Sequence, residues 1–128
     1  MDVAGDSSAN GANVKLYIGN NTNAQKLKVS YDSSTGYCTI TNVQSGKVLD
    51  ATGGASSNGT NIQQYASNNK FAQKWIIEEK SNGRFVVKSA LNPAVVVDVT
   101  AGNTSNGSNI QLYQGNSTNA QRFVLEQI

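Results

Sequence analysis

Eight carboxylates, one cysteine and no histidine bound the chemistry open to this 128-residue chain. With Cys38 alone and no His, neither a Ser-His nor a Cys-His nucleophile can be assembled, and the usual zinc ligand sets are absent. Acid–base work on a glycosidic bond needs two carboxylates about 5–10 Å apart, one with a raised pKa. Glu78 and Glu79 are adjacent, so on a strand they point to opposite faces. Asp2, Asp50 and Asp98 recur at intervals of 48, and threefold geometry holds such positions well apart. The remaining acids are Asp6, Asp32 and Glu126. Catalysis is not expected, and no cofactor or metal is implied.

Charge and hydropathy narrow the classes further. Ten basic and eight acidic side chains give a net charge of +2, with the lysines scattered. That is no basic stripe for a phosphate backbone, so no nucleic-acid partner is expected. No apolar run approaches the ~20 residues of a membrane span, and no signal-peptide pattern opens the chain. The length allows one domain, taken as 1–128, large enough to need no disulfide or metal staple.

The elements that must position these residues come from an internal repeat. Asp2 to Tyr17, Asp50 to Tyr65 and Asp98 to Tyr113 superpose without a gap at an offset of 48. The same offset carries Ala24-Gln25-Lys26-Leu27 onto Ala72-Gln73-Lys74-Trp75 and Ala120-Gln121-Arg122-Phe123. Lead strands precede the later copies, Cys38-Thr39-Ile40 and Phe85-Val86-Val87, offset by 47. No equivalent precedes Asp2, so the first lead strand is expected to be missing. The repeats are placed at about 1–35, 36–82 and 83–128.

Each unit reads as four short strands. Helix formers are scarce, while Val, Ile, Thr and Tyr are common and turn pairs such as Asn10-Gly11, Asn58-Gly59 and Asn106-Gly107 punctuate the chain. In the second unit the strands are expected near Tyr37–Thr41, Val48–Asp50, Thr60–Tyr65 and Gln73–Glu78. Third strands alternate: Ile62 opposes Gln63 and Tyr65, Ile110 and Leu112 oppose Gln111 and Tyr113, and Val14 and Leu16 oppose Lys15 and Tyr17. Such strands cannot stand as isolated hairpins, so each unit must bury its apolar face against the others. The fold class is all-β with pseudo-threefold symmetry.

Three units of four strands, with Gly46-Lys47-Val48-Leu49-Asp50, Asn58 to Tyr65 and Gln73-Lys74-Trp75 repeated in register, resemble the bacterial type of the ricin-B-type β-trefoil, the QxW-repeat carbohydrate-binding module. The resemblance covers the whole chain. It implies a six-stranded barrel capped by three hairpins, with up to three shallow sugar sites around the axis. Leu27, Trp75 and Phe123, which close the Gln-x-apolar motifs, are then core residues, and the Trp75 indole N–H needs a partner.

Carried over position by position, the resemblance assigns carbohydrate binding to Asp50, Gln63, Tyr65, Asn68 and Gln73 in the second unit. In the third it assigns Asp98, Gln111, Tyr113, Asn116 and Gln121. A weaker first site comprises Asp2, Tyr17, Asn20 and Gln25, with Lys15 in place of the third-strand amide. One position departs from the family pattern: the sugar-contacting Asn before the Gln is Ala24, Ala72 and Ala120. Asn20, Asn68 and Asn116 stand four residues earlier as substitutes. A carboxylate accepts two hydroxyl hydrogen bonds and a Tyr ring offers an apolar face to a pyranose. At ~1 kcal/mol per bond this yields about millimolar affinity per site, raised by avidity on a polymer.

Alternatives stay open at this level. The Asp residues also suit Asx-turns, the Tyr residues packing, and the Gln residues backbone satisfaction. Cys38, aligned with Phe85, reads as a buried thiol. The expected function is a noncatalytic module that targets a secreted parent enzyme to a glycan or polysaccharide of galactose- or xylose-type sugars. The resemblance and the lack of the disulfide pairs that plant members carry point to a bacterial protein, and the role as an appended domain of a secreted enzyme implies an extracellular one. A protein-binding trefoil of inhibitor or cytokine type is the alternative. The open barrel edge also admits a dimer.

Overall fold

Side-chain alternation in burial marks three of the strands, one of them over six residues. In the computed structural model, which describes residues 1–4, 7–15, 25–80, 83–102 and 107–124, Cys38, Ile40 and Asn42 are buried while Tyr37, Thr39 and Thr41 are half-buried. That is strand β4, Tyr37–Asn42. Before it lie β1 (Asp2–Val3), β2 (Val14–Lys15) and β3 (Leu27–Asp32). After it come β5 (Val48–Ala51), β6 (Ile62–Tyr65), β7 (Trp75–Glu79) and β8 (Arg84–Ser89). The third repeat ends with β9 (Val95–Val99), β10 (Ile110–Gln114) and β11 (Phe123–Val124).

The four strands expected in the second unit are present, with shifted edges. Gln73 lies in a short 3-10 turn, Phe71–Gln73, and β7 starts at Trp75. Thr60 precedes β6, whose first residue is Ile62. Strands β5 and β9 are buried at every position, so strict alternation fails there. Both runs are apolar except for Asp50 and Asp98, and burial at every position marks strands covered on both faces.

Five strands pair antiparallel in the row β3–β4–β7–β8–β11, and the hairpins β1–β2, β5–β6 and β9–β10 cap it. Equivalent pairs recur around the row. Cys38 faces Trp75 as Phe85 faces Phe123, and Thr41 faces Val48 as Lys88 faces Val96. Among the described residues no strand joins β11 to β3.

Symmetry is most visible on the axis. Gly11 N donates to Gln64 O at 2.8 Å, and Gly59 N donates to Leu112 O at 2.8 Å. Gln64 N returns to Ala12 O at 3.0 Å, and Leu112 N to Thr60 O at 2.8 Å. Three asparagines then close a ring. Asn61 Nδ2 donates to Asn13 Oδ1 at 2.8 Å, Asn13 Nδ2 to Asn109 Oδ1 at 2.9 Å, and Asn109 Nδ2 to Asn61 Oδ1 at 2.9 Å. A head-to-tail ring of equivalent residues needs a threefold arrangement of their backbones, and the fold is a β-trefoil.

The core lies under the hairpins. Trp75, Ile62, Ile110, Leu112 and Val97 are fully buried against Leu49, Val14 and Ile40. The Trp75 indole N–H donates to Leu49 O at 3.2 Å, as its burial requires. Cys38 is a buried free thiol, and burial pushes its pKa up. No helix among the described residues is long and apolar enough to cross a membrane.

Candidate functional site

In the third repeat the cross-strand register builds the site. Asp98 on β9 stands opposite Gln111 on β10. Side chains directly opposite on one face are close neighbours, and Gln111 Nε2 donates to Asp98 Oδ2 at 2.9 Å. Asp98 Oδ1 accepts no hydrogen bond from any described residue. A cleft of about 440 Å³ opens here, lined by Asp98, Ala101, Gln111, Tyr113, Asn116 and Thr118 among others. Tyr113 is 39% exposed, so its ring is available at the surface.

The wall of the cleft is strained. Ala101 adopts φ 56°, ψ 18°, in the left-handed region, where a Cβ costs about 1–2 kcal/mol. Its counterpart in the second repeat is Gly53, at φ 69°. Ser117 (φ 59°) and Asn69 (φ 61°) are similarly left-handed in the equivalent turns after β10 and β6.

The second repeat holds the same groups in a tighter arrangement. Gln63 Nε2 lies 3.3 Å from Asp50 Oδ1, and Gln73 Nε2 donates to Asp50 Oδ2 at 2.8 Å. Both carboxylate oxygens are therefore engaged, by side-chain amides and not by main-chain turns. Tyr65 is exposed like Tyr113, so neither tyrosine is a core residue.

Gln73 and Gln121 are both buried and bonded within the protein. Gln73 accepts from Asn68 N at 2.9 Å and donates to Ala66 O at 2.9 Å as well as to Asp50. Gln121 accepts from Asn116 N at 2.9 Å and donates to Gln114 O at 2.9 Å, with no bond to Asp98. They hold the loop that carries the site. Asn68 and Asn116 use Oδ1 in turns, accepting from Lys70 N at 3.0 Å and Thr118 N at 3.1 Å. Of the alanines that replace the family's Asn, Ala72 is buried in the core and Ala120 lines the cleft.

The first repeat is described in part. Asp2 is buried to the same degree as Asp50 and Asp98, 6% exposed, and stands opposite Lys15. Gln25 is half-buried. Tyr17 and Asn20 lie outside the described residues.

Reading the Asn-Gly pairs as turns alone missed their second role. Asn10 Oδ1 accepts from Ala66 N at 3.0 Å, and Asn58 Oδ1 accepts from Gln114 N at 2.8 Å, each tying one repeat to the next. The asparagine ring was missed too. Its signal was present in Asn10-Gly-x-Asn13, Asn58-Gly-x-Asn61 and Asn106-Gly-x-Asn109, spaced by the repeat.

Known proteins share this architecture. The designed threefold-symmetric protein ThreeFoil matches 100% of this chain over 90% of its own, at 26% identity and a TM-score of 0.95. An exo-β-1,3-galactanase from Clostridium thermocellum matches 99% of this chain over 27% of its own, at 27% identity and a TM-score of 0.93. A ricin B-like lectin from Macrolepiota procera, in complex with lactose, matches 97% of this chain over 84% of its own, at 16% identity and a TM-score of 0.80. A search of curated proteins found no match. The model of the ricin-type beta-trefoil lectin domain-like family matches three overlapping stretches, residues 1–65, 23–113 and 71–127. Three overlapping matches that together run from residue 1 to 127 place this chain in the ricin-type beta-trefoil lectin-like family.

Proposed function

We propose that this domain is a noncatalytic carbohydrate-binding module whose leading site is the cleft at Asp98. The observation that carries this reading is the Asp98 carboxylate itself. Gln111 orients one oxygen at 2.9 Å while the other accepts nothing from the described residues, in a cleft walled by exposed Tyr113. An ionised acceptor beside an aromatic face suits a pyranose: vicinal hydroxyls bond the carboxylate and the C–H side lies on the ring.

Galactose-type sugars come first. The Macrolepiota procera lectin holds lactose, an earthworm lectin half holds GalNAc, and the Clostridium thermocellum relative is a galactanase. Xylose-type sugars are the second group. The second site contributes less, because each Asp50 oxygen already accepts an amide hydrogen bond and has only one lone pair left for a hydroxyl. The first adds least, with Lys15 replacing the amide.

The chain corresponds to 27% of the galactanase and 16% of a mosquitocidal holotoxin. This supports a role as the targeting domain of a larger secreted bacterial enzyme. Among the described residues β3 pairs on one side only, and with Val29 and Tyr31 exposed this supports pairing of two copies. Sedimentation equilibrium across a concentration series tests that part.

The deciding experiment is a titration of lactose, xylose, soluble β-galactan and soluble xylan into the wild type and Asp98→Ala. Lactose binding near the millimolar range, lost in Asp98→Ala, is expected. Undiminished binding in that variant rejects the assignment.

A further inference from the structure

We infer that the outer face of the β3–β4 hairpin carries a second kind of glycan subsite, distinct from the three repeat sites, that takes one neutral pyranose of a longer chain. The inference rests on the carbohydrate reading above but uses none of its residues.

The geometry begins with alternation. Cys38 and Ile40 on β4 and Trp75 on β7 point into the core. Tyr37, Thr39 and Lys74 therefore stand on the opposite face. The hairpin register places Ser30 opposite Thr39 and Asp32 opposite Tyr37. With Asn69, these side chains line a cavity of about 200 Å³. It offers hydroxyls, an amide, a carboxylate and an ammonium, with Tyr31 and Tyr37 both in its lining. The opposed charges of Asp32 and Lys74 cancel, which suits a neutral, hydroxyl-rich ligand over an anionic one.

Two features show a fixed site. Asp32 Oδ1 accepts from Ser34 N at 2.9 Å and from Ser34 Oγ at 2.7 Å, so its carboxylate is held in place. Those bonds, the hydroxyl first, also lower its pKa and keep it ionised. Tyr37 is braced edge-on by Phe71, with ring centroids 5.7 Å apart at 69°, and Lys74 Nζ lies 5.6 Å from the Phe71 centroid. Phe71 remains 52% exposed, an aromatic kept at the surface beside the cavity.

The repeat supplies the control. The next hairpin, β7–β8, has Arg84 where Tyr37 stands and Lys80 where Asp32 stands, while Asn119 replaces Phe71. The trefoil is built there without any of these groups. The aromatic pair and the acid are thus additions to one hairpin, not demands of the fold. A site beside the repeat sites would let one polysaccharide chain engage the domain at two places, raising affinity for polymer over oligosaccharide.

The test is a 15N-resolved NMR titration of the whole domain with soluble β-galactan, soluble xylan and lactose. Wild type, Asp98→Ala, Asp32→Asn and Tyr37→Leu are compared. Polymer-induced shifts at residues 30–39 are expected in the wild type and should persist in Asp98→Ala. Tyr37→Leu should weaken polymer binding roughly tenfold, about the worth of one stacking contact, and leave lactose shifts around Asp98 unchanged. Shifts absent from residues 30–39 with both polymers overturn the inference, whatever happens at Asp98. So do shifts there that survive undiminished in both hairpin variants. Failure of the repeat sites reads out separately, as absent shifts at residues 98–116.

Discussion

Gln73 Nε2 lies 2.8 Å from Asp50 Oδ2, while its counterpart Gln121 reaches only the main chain at Gln114 O and leaves Asp98 to Gln111. Two copies of one motif thus hold their carboxylates differently. One is clamped on both oxygens, and the other keeps an oxygen open at a cleft. Stability and binding should therefore separate between the repeats.

Asp50→Ala is expected to cost about 1–2 kcal/mol of stability, because Gln63 and Gln73 both lose an acceptor within a buried cluster. Asp98→Ala should cost less than about 1 kcal/mol but remove more sugar affinity. Urea midpoints paired with lactose titrations compare the two directly.

Replacing the buried glutamines tests their role as loop holders. Gln73→Leu strands Asn68 N, Ala66 O and Asp50, and an unpaired buried polar group costs about 1–3 kcal/mol. Gln121→Leu strands fewer groups and should destabilise less. Thermal unfolding should rank Gln73→Leu below Gln121→Leu.

The asparagine ring predicts strong coupling. Asn61→Ala leaves Asn109 Nδ2 and Asn13 Oδ1 without their partners and should cost about 1–3 kcal/mol. Adding Asn109→Ala should then cost clearly less than it does alone, since both changes break one network. A double-mutant cycle by chemical denaturation measures the difference.

Ala101→Gly relieves a left-handed alanine at the cleft wall. The relief of about 1–2 kcal/mol is partly offset by the greater freedom of glycine in the unfolded chain. A net gain of up to about 1 kcal/mol is expected, seen as a higher urea midpoint.

Hydrogen bonds from Lys80 and Lys88, the former first, lower the pKa of Glu78 from 4.5 to about 2. A depressed carboxylate stabilises above its unfolded pKa and loses that contribution as pH falls. Between pH 4.5 and about 2 the wild type should lose more stability than Glu78→Gln. The cluster is exposed, so added salt should shrink the difference. Urea midpoints at stepped pH, with and without salt, check both points.

The strand pattern, the threefold repeat and the positions of Asp50, Asp98, Tyr65 and Tyr113 are legible in the order of residues alone. Hydrophobic alternation and a fixed offset are local signals, and local signals survive in one dimension. The burial of Trp75 and Cys38 followed from the same registration of the repeats. Which oxygens stay open is settled by packing in three dimensions, because it depends on the directions taken by Gln73 and Gln121, which identical residue types do not specify. Packing alone joins Asn13, Asn61 and Asn109, since hydrogen bonds across 48 and 96 residues form only once three backbones meet on an axis. The cavity at Tyr37 likewise draws on β3, β4 and the turn before β7, whose packing no periodicity along the chain encodes.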